Sequence, residues 1–408
     1  MSELTTKQQK FIDLILAGKS VFLTGKAGTG KSFVVKEAIR QLKENHKNIV
    51  ALAPTGVAAN NIEGQTIHSF FSLPPFGVLD FEACNFLKSE KRKLINKVDI
   101  IFIDEVSMLR PDILDGINWT LLKNGCGSLR DIQIVLIGDL KQLPPVVNDN
   151  TMSVLFQKYN GIEFYNADCY NSLKCVDIEL DEVKRQTDEE FLHHLNIIRD
   201  GGKSEYFRQF LSKDYHGIVL APHNSTVKKY NEAGLKSITA LEHKFEAITT
   251  GNLKAEDFNM DSLITVKNGC KIMYLSNSKN NPLVNGTLGT FIYKPNTKGD
   301  NCYFIEVNEV LYPLEAVINT KKEYVLVQDI QIRDGKKIKV DRLELQEIGS
   351  ITQLPIKLAY ALSIHKAQGL TFDEITIDMT LPFFSPGQLY TALSRVRTPK
   401  GLKIIVNR

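Results

Sequence analysis

Gly25-Lys26-Ala27-Gly28-Thr29-Gly30-Lys31-Ser32 places three glycines, a lysine and a hydroxyl at the spacing that wraps a polyphosphate. Glycine admits backbone conformations closed to other residues and lets amide N–H groups face phosphate oxygens. In such a loop Gly25, Ala27, Gly28, Thr29 and Gly30 cradle a nucleoside triphosphate, Lys31 reaches its β- and γ-phosphates, and Ser32 holds Mg²⁺. Farther along, Ile100-Ile101-Phe102-Ile103 runs straight into Asp104-Glu105. Two acids at the end of a buried strand suit hydrolysis: Asp104 is expected to serve the metal and Glu105 to polarise the attacking water. After Val135-Leu136-Ile137-Gly138-Asp139, Gln142 stands where it reports the γ-phosphate to the rest of the chain.

These groups need strands to aim them. Apolar runs at Ser20 to Thr24, Asn48 to Ala53, Asp99 to Asp104, Ile132 to Ile137 and Val176 to Leu180 alternate with helical patterns, which predicts a parallel sheet covered by helices. Ligands of such sheets gather at the carboxyl ends of the strands, where the three motifs can converge. The pattern breaks between Ser72 and Lys97, which reads as an insertion projecting from the sheet. A second α/β region begins near Asp181, with helices at Glu189 to Arg199 and Ser225 to Leu235 and a strand at Gly217 to Ala221. From about Leu241 to Ile351, short β runs and turns such as Asn285-Gly286 and Asp334-Gly335 predict a small barrel-like domain. Helical signal is expected again at Ile356 to Lys366, before a closing strand, helix and strand ending at Leu402 to Val406.

With 408 residues and 43% hydrophobic content, the chain is long enough for two or three ordinary cores. It contains no apolar run near the roughly 18 residues a membrane span requires, and Met1 to Phe11 lacks a signal-peptide core. Cys84, Cys126, Cys169, Cys175, Cys270 and Cys302 form no C-x-x-C pair, so neither zinc nor an iron–sulfur cluster is suggested, and reduced thiols in a cytosol-like compartment are expected. The net charge of +3 does not indicate nucleic acid by itself. Lys88, Lys91, Arg92, Lys93 and Lys97 form a local basic cluster that a solvated helix face explains equally well.

Taken in order, Leu4-Thr5-Thr6-Lys7-Gln8, the glycine loop, Ala53-Pro54-Thr55-Gly56-Val57-Ala58-Ala59, Gly64-Gln65-Thr66-Ile67-His68-Ser69, Asp104 to Met108, Gly138 to Pro145, Arg185-Gln186, Ser363 to Thr371 and Gly387 to Arg395 resemble the Pif-one (petite integration frequency) family of superfamily 1B DNA helicases over nearly the whole length. The resemblance implies an α/β protein with two RecA-like P-loop motor domains, at 1–71 with 98–180 and at 181–240 with 351–408. It implies a duplex-splitting wedge at 72–97 and an SH3-like β-barrel domain at 241–350.

It further implies that Gln8 recognises adenine, that Gly369 joins the nucleotide contacts, and that Arg185 and Arg395 reach the γ-phosphate from the second motor domain. Guanidinium groups supplied across a cleft neutralise developing phosphoryl charge and make hydrolysis depend on closure. Seen alone, each arginine reads first as a surface ion-pair partner, and only its motif context reverses that reading. Thr55, Thr66, His68, His223, Asn224, Ser363, His365 and Lys366 are implied to hold single-stranded DNA through its phosphates. A buried, hydrogen-bonded role is the alternative for His68 and His365. Phe70, Phe71 and Phe76 lie near that track and read either as base-stacking groups or as core. The chain departs from the family at Lys184, where an aromatic is usual, and at His223, where a small hydroxyl residue is common.

The expected activity is ATP-driven 5′ to 3′ movement on single-stranded DNA with unwinding, in replication, repair, recombination or genome maintenance. Forks, G-quadruplexes and RNA–DNA hybrids stay open as preferred structures. A monomeric, cytoplasmic protein of bacterial or phage type is expected, without membrane partners. A regulatory P-loop ATPase that changes shape without displacing a strand, and a translocase that separates base pairs poorly, are the competing readings.

Overall fold

In the computed structural model, residues 4–75, 77–181, 188–251, 253–255, 260–276, 283–295, 301–333 and 336–407 are described. Contacts divide the chain into two units, Met1–Arg185 with Lys322–Ile348, and Gln186–Lys321 with Gly349–Arg408.

The first unit is built on β1 (Val21–Gly25), β2 (Ile49–Ala53), β3 (Gln65–Thr66), β4 (Ile100–Ile103), β5 (Gln133–Ile137) and β6 (Val176–Leu180). They pair in parallel in the order β3-β2-β4-β5-β1-β6. Parallel strands are buried on both faces, which is why these runs are apolar throughout. One face packs Val21, Leu23, Ile100, Phe102 and Val135 on α1 (Thr6–Leu16) and α2 (Lys31–Glu44) through Phe11, Ile15, Val34 and Ala38. Short helices α3 (Gly56–Asn61), α4 (Ile67–Phe71) and α5 (Ser89–Ile95) follow β2 and β3. On the opposite face Val50, Leu52, Ile101 and Leu136 meet α4, α5 and α6 (Pro111–Lys123), and α7 (Asp149–Tyr159) packs beside α6.

The second unit opens with α8 (Glu189–Arg199), β7 (Ile218–Ala221) and α9 (Asn224–Lys236). Among the described residues ten strands follow in the chain, β15 and β16 lying mostly within the first unit's Lys322–Ile348: β8 (Glu242–Glu246), β9 (Ile248–Thr249), β10 (Leu263–Lys267), β11 (Lys271–Tyr274), β12 (Leu288–Pro295), β13 (Asn301–Val307), β14 (Val310–Pro313), β15 (Val317–Arg333), β16 (Lys336–Gln353) and β17 (Ile356–Leu358). They form three sheets, β10-β8, β14-β13-β12-β11-β17 and β15-β16-β9. The chain then returns through β18 (Ala361–Ser363), β19 (Ile375–Met379), α10 (Gln388–Leu393) and β20 (Leu402–Val406) to a parallel sheet in the order β18-β7-β19-β20.

Three expectations differ from the structure. The helix expected over Ile356 to Lys366 is instead β17 and β18 followed by a turn. β17 pairs with β11 and β18 with β7, and Asn231 Oδ1 accepts from the amides of Tyr360 and Ala361, both at 3.0 Å. Two sheet ladders and a side-chain acceptor outweigh the local helical preference.

The stretch from Ser72 to Lys97 does not simply project. Its Leu73, Leu79, Cys84, Leu87, Leu94 and Ile95 are buried in the core beside α6. Buried polar groups anchor it: Leu79 N–H donates to Asp112 Oδ2 and Leu87 N–H to Asn124 Oδ1, both at 2.8 Å. Phe81 and Phe86 stay exposed, with the Lys123 ammonium over both rings.

The long β15–β16 ribbon also crosses the boundary drawn at 350, because its stretch 322–348 groups with the first unit. Tyr324 is buried there, its hydroxyl accepting from Ala51 N–H at 2.9 Å and its ring edge-on to Phe70.

Candidate nucleotide and nucleic-acid sites

Gly25, Gly28 and Gly30 all have positive φ, at 153°, 83° and 84°, so the loop between β1 and α2 takes a path closed to β-carbon-bearing residues. A Cβ on Gly25 would meet Leu180 O at 2.6 Å, and one on Gly30 would meet Gln8 Nε2 at 2.9 Å. Lys31 is the first residue of α2, and its ammonium donates to Gly25 O at 2.7 Å and Lys26 O at 3.1 Å. The cation is thus folded over the loop it would share with a phosphate. Thr29 Oγ1 donates to Lys26 O at 3.0 Å and closes the loop, and Ser32 stands exposed in the first turn of α2.

Gln8 is buried against this loop, with Nε2 donating to Thr29 O at 3.4 Å. Its position is fixed by a capping box: Thr5 N–H donates to Gln8 Oε1 at 3.0 Å and Gln8 N–H to Thr5 Oγ1 at 3.3 Å.

Asp104 follows β4 directly and accepts from Glu105 N–H at 2.9 Å. Burial pushes its carboxyl above the usual range, while the Glu105 amide and the Lys31 charge act the other way. A carboxylate short of compensating charge is one that a bound cation would ionise, which fits a metal held by Asp104 and Ser32. Among the described residues no three His, Cys, Asp or Glu side chains come together as a metal site. A Mg²⁺ held by one carboxylate, one hydroxyl and phosphates needs none. Glu105 has φ 52°, a left-handed turn that redirects the chain at the strand end.

Gln142 is nearly buried and donates from Nε2 to Asp139 Oδ2 at 3.3 Å, while Asp139 Oδ1 accepts from Lys141 N–H at 3.1 Å. Asp139 therefore positions Gln142, a role not read from the sequence although the residue follows β5 within the same motif. Thr5 is a second such residue, and its signal was present as T-x-x-Q ahead of a helix.

Arg185 lies outside the described residues, as do Gln186, Lys184 and Phe76. Arg395 follows α10 and is 2% exposed. Its Nε donates to Thr391 O at 2.8 Å, Nη2 to Ser394 Oγ at 2.6 Å and Nη1 to Leu370 O at 3.3 Å.

Of the expected DNA contacts in the first unit, Thr55 and Thr66 cap α3 and α4, accepting from Ala58 N–H and Ser69 N–H, each at 3.3 Å. His68 is half-buried on α4, and burial, with the Arg110 charge, holds its imidazole below the ordinary range against the pull of Asp112. Phe70 and Phe71 are fully buried and belong to the core. In the second unit His223 precedes α9 and Asn224 opens it, exposed. Ser363 ends β18 and its Oγ accepts from Lys366 N–H at 3.4 Å. His365 is half-buried, pushed below the ordinary range by burial, while Lys366 is exposed and Gly369 turns the chain at φ 80°.

A glycine cradle between a parallel strand and its helix, an acid closing the next motif strand, and a second parallel-sheet unit define a P-loop NTPase of the RecA-like class. The PIF1-like helicase family matches residues 3–208. The ATP-dependent DNA helicase Pif1 of Bdellovibrio bacteriovorus is 30% identical over 99% of this chain and 88% of its own length. Crystal structures of Pif1 from Bacteroides sp. cover 99% of this chain and 92% of theirs at 32% identity: the complex with ADP-AlF4 has a TM-score of 0.83, and the one bound to ssDNA 0.68. The chain belongs to the PIF1-like helicase family.

Proposed function

We propose that this chain is an ATP-dependent DNA helicase that moves 5′ to 3′ on single-stranded DNA and opens duplex at single-strand/duplex junctions. The observation that carries the proposal is the glycine cradle with Lys31 folded over it, and a half-buried Asp104 that feels the Lys31 charge, in a member of this family.

Backbone amides of Gly25, Ala27, Gly28, Thr29 and Gly30 bind the triphosphate, and Lys31 leaves its carbonyl partners for phosphate oxygens. Gln8 orients adenine, with Gly369 adding a contact. Mg²⁺ held by Ser32 and Asp104 would neutralise phosphate charge. Glu105 orients the attacking water and takes its proton, and Gln142 senses the γ-phosphate. Arg185 and Arg395 neutralise the charge that grows on the transferred phosphoryl group.

Thr55, Thr66, His68, His223, Asn224, Ser363, His365 and Lys366 hold the strand by its backbone, so that binding is independent of base sequence. Residues 72–97, with Phe81 and Phe86 exposed, act as the wedge, and the β sheets within 241–350 embrace the DNA. The free protein is a monomer.

ATP hydrolysis measured with and without single-stranded DNA tests this reading. A helicase hydrolyses faster when the strand is present. A rate indifferent to DNA would instead describe a nucleotide switch.

A further inference from the structure

The loop between β19 and α10 holds an aromatic ring in the open. Phe384 is 55% exposed, and Leu381 beside it 44%. Exposure of this kind ordinarily marks a mobile tip, yet this loop is pinned. Phe384 N–H donates to Oε1 of the fully buried Gln388 at 3.1 Å, and His223 Nε2 bonds Pro382 O at 3.1 Å. Pro382 and Pro386 restrict the backbone on both sides.

The ring itself rests on two imidazoles. It is nearly parallel to His365, with 12° between planes and centroids 5.8 Å apart, and it lies 5.2 Å from His223. Among the described residues no hydrogen-bond partner meets the buried His365 Nε2, and an unpaired buried polar atom costs stability. Lys366, the next residue, is exposed. A rigid, open aromatic ring beside a cation at the end of a parallel strand matches the two halves of a nucleotide: the base for the ring and the phosphate for the ammonium.

We propose that Phe384 is a stacking platform for one nucleobase of the bound single strand, next to a phosphate held by Lys366. This rests on the reading of the Ser363–Lys366 turn as a DNA contact. Because every base has a π-face, the platform grips without reading sequence. It joins the loop that leads into Arg395 to the strand, whereas Phe70 and Phe71 are buried in the core.

The test compares anisotropy titrations of labelled oligo-dT and of the same oligomer made wholly of abasic sites, which keeps the phosphates and removes the bases. The parental protein should bind oligo-dT more tightly, and Phe384→Ala should lose about 5- to 100-fold on oligo-dT while changing little on the abasic strand. Phe384→Trp should keep the preference for oligo-dT and show indole quenching with oligo-dT alone. Lys366→Ala should weaken both strands alike.

Phe384→Ala that retains the full parental preference for bases overturns the platform. So does Phe384→Trp without quenching, which guards against an alanine variant that folds poorly. A Lys366→Ala protein with parental affinity for both strands removes the underlying reading of the turn instead.

Discussion

Arg395 Nη1 donates to the carbonyl oxygen of Leu370 at 3.3 Å, which ties the guanidinium after α10 to the turn carrying His365 and Lys366. Two further backbone bonds reinforce the link, Phe372 N–H to Arg395 O and Arg397 N–H to Phe372 O, each at 2.9 Å. The residue assigned to the γ-phosphate and the residues assigned to DNA thus share one hydrogen-bonded unit.

Arg395→Lys keeps the charge and loses the planar fork that serves three acceptors at once. Single-turnover hydrolysis should fall about 10³-fold or more, while nucleotide still binds. Hydrolysis at the parental rate in a folded Arg395→Lys protein would take this arginine out of the chemistry.

Glu105→Gln keeps the side-chain size and removes the base. ATP and DNA binding should persist and turnover should stop. Multiple-turnover hydrolysis with a parental rate constant would show that another group orients the water.

Thr5 never touches nucleotide in this scheme, yet it sets Gln8 through both bonds of the capping box. Thr5→Ala should cost about 1 kcal/mol of stability. Its kinetic signature should be a raised KM for ATP with kcat largely kept, and Gln8→Glu should raise KM further by facing a carboxylate at Thr29 O. A lowered kcat at unchanged KM would contradict this positioning role.

Lys91 lies 4.2 Å from the centre of the Phe70 ring, and burial brings its ammonium from 10.5 to about 8, with Glu323 opposing the shift. Between those values the unfolded chain holds a proton that the folded chain has released, so this group makes stability rise with pH across that window. Below about 8 both states carry the proton, and the fold bears the full desolvation of the charge. Lys91→Met should remove that slope and gain stability at neutral pH. Urea unfolding of both proteins at pH 7 and pH 10 reads the difference; an unchanged difference between the two pH values would rule the effect out.

The first parallel sheet was readable because each strand is a short apolar run bounded by polar or glycine residues, and burial on both faces demands that pattern. The cradle was readable because its glycines are required by backbone angles that no other residue tolerates well. What escaped depends on distant partners. Ile356 to Ser363 becomes strand only because Lys271–Tyr274 and Ile218–Ala221 offer edges to pair with. The 72–97 segment is drawn into the core by Asp112 and Asn124, carboxylate and amide groups far along the chain. Tyr324 reaches Ala51 across 273 residues, a pairing that no local pattern announces. Asp139 was missed because its part is to hold Gln142, and Phe384 because its loop is pinned partly by His223, far away in the sequence.

Strand displacement from duplexes carrying either a 5′ or a 3′ single-stranded tail, with ATP and with Lys31→Ala as the control, addresses the central claim most directly. A 5′ to 3′ helicase driven from this cradle displaces the strand only from the 5′-tailed substrate, and the Lys31→Ala protein displaces neither. Equal displacement from both tails, or displacement that survives loss of Lys31, would contradict it.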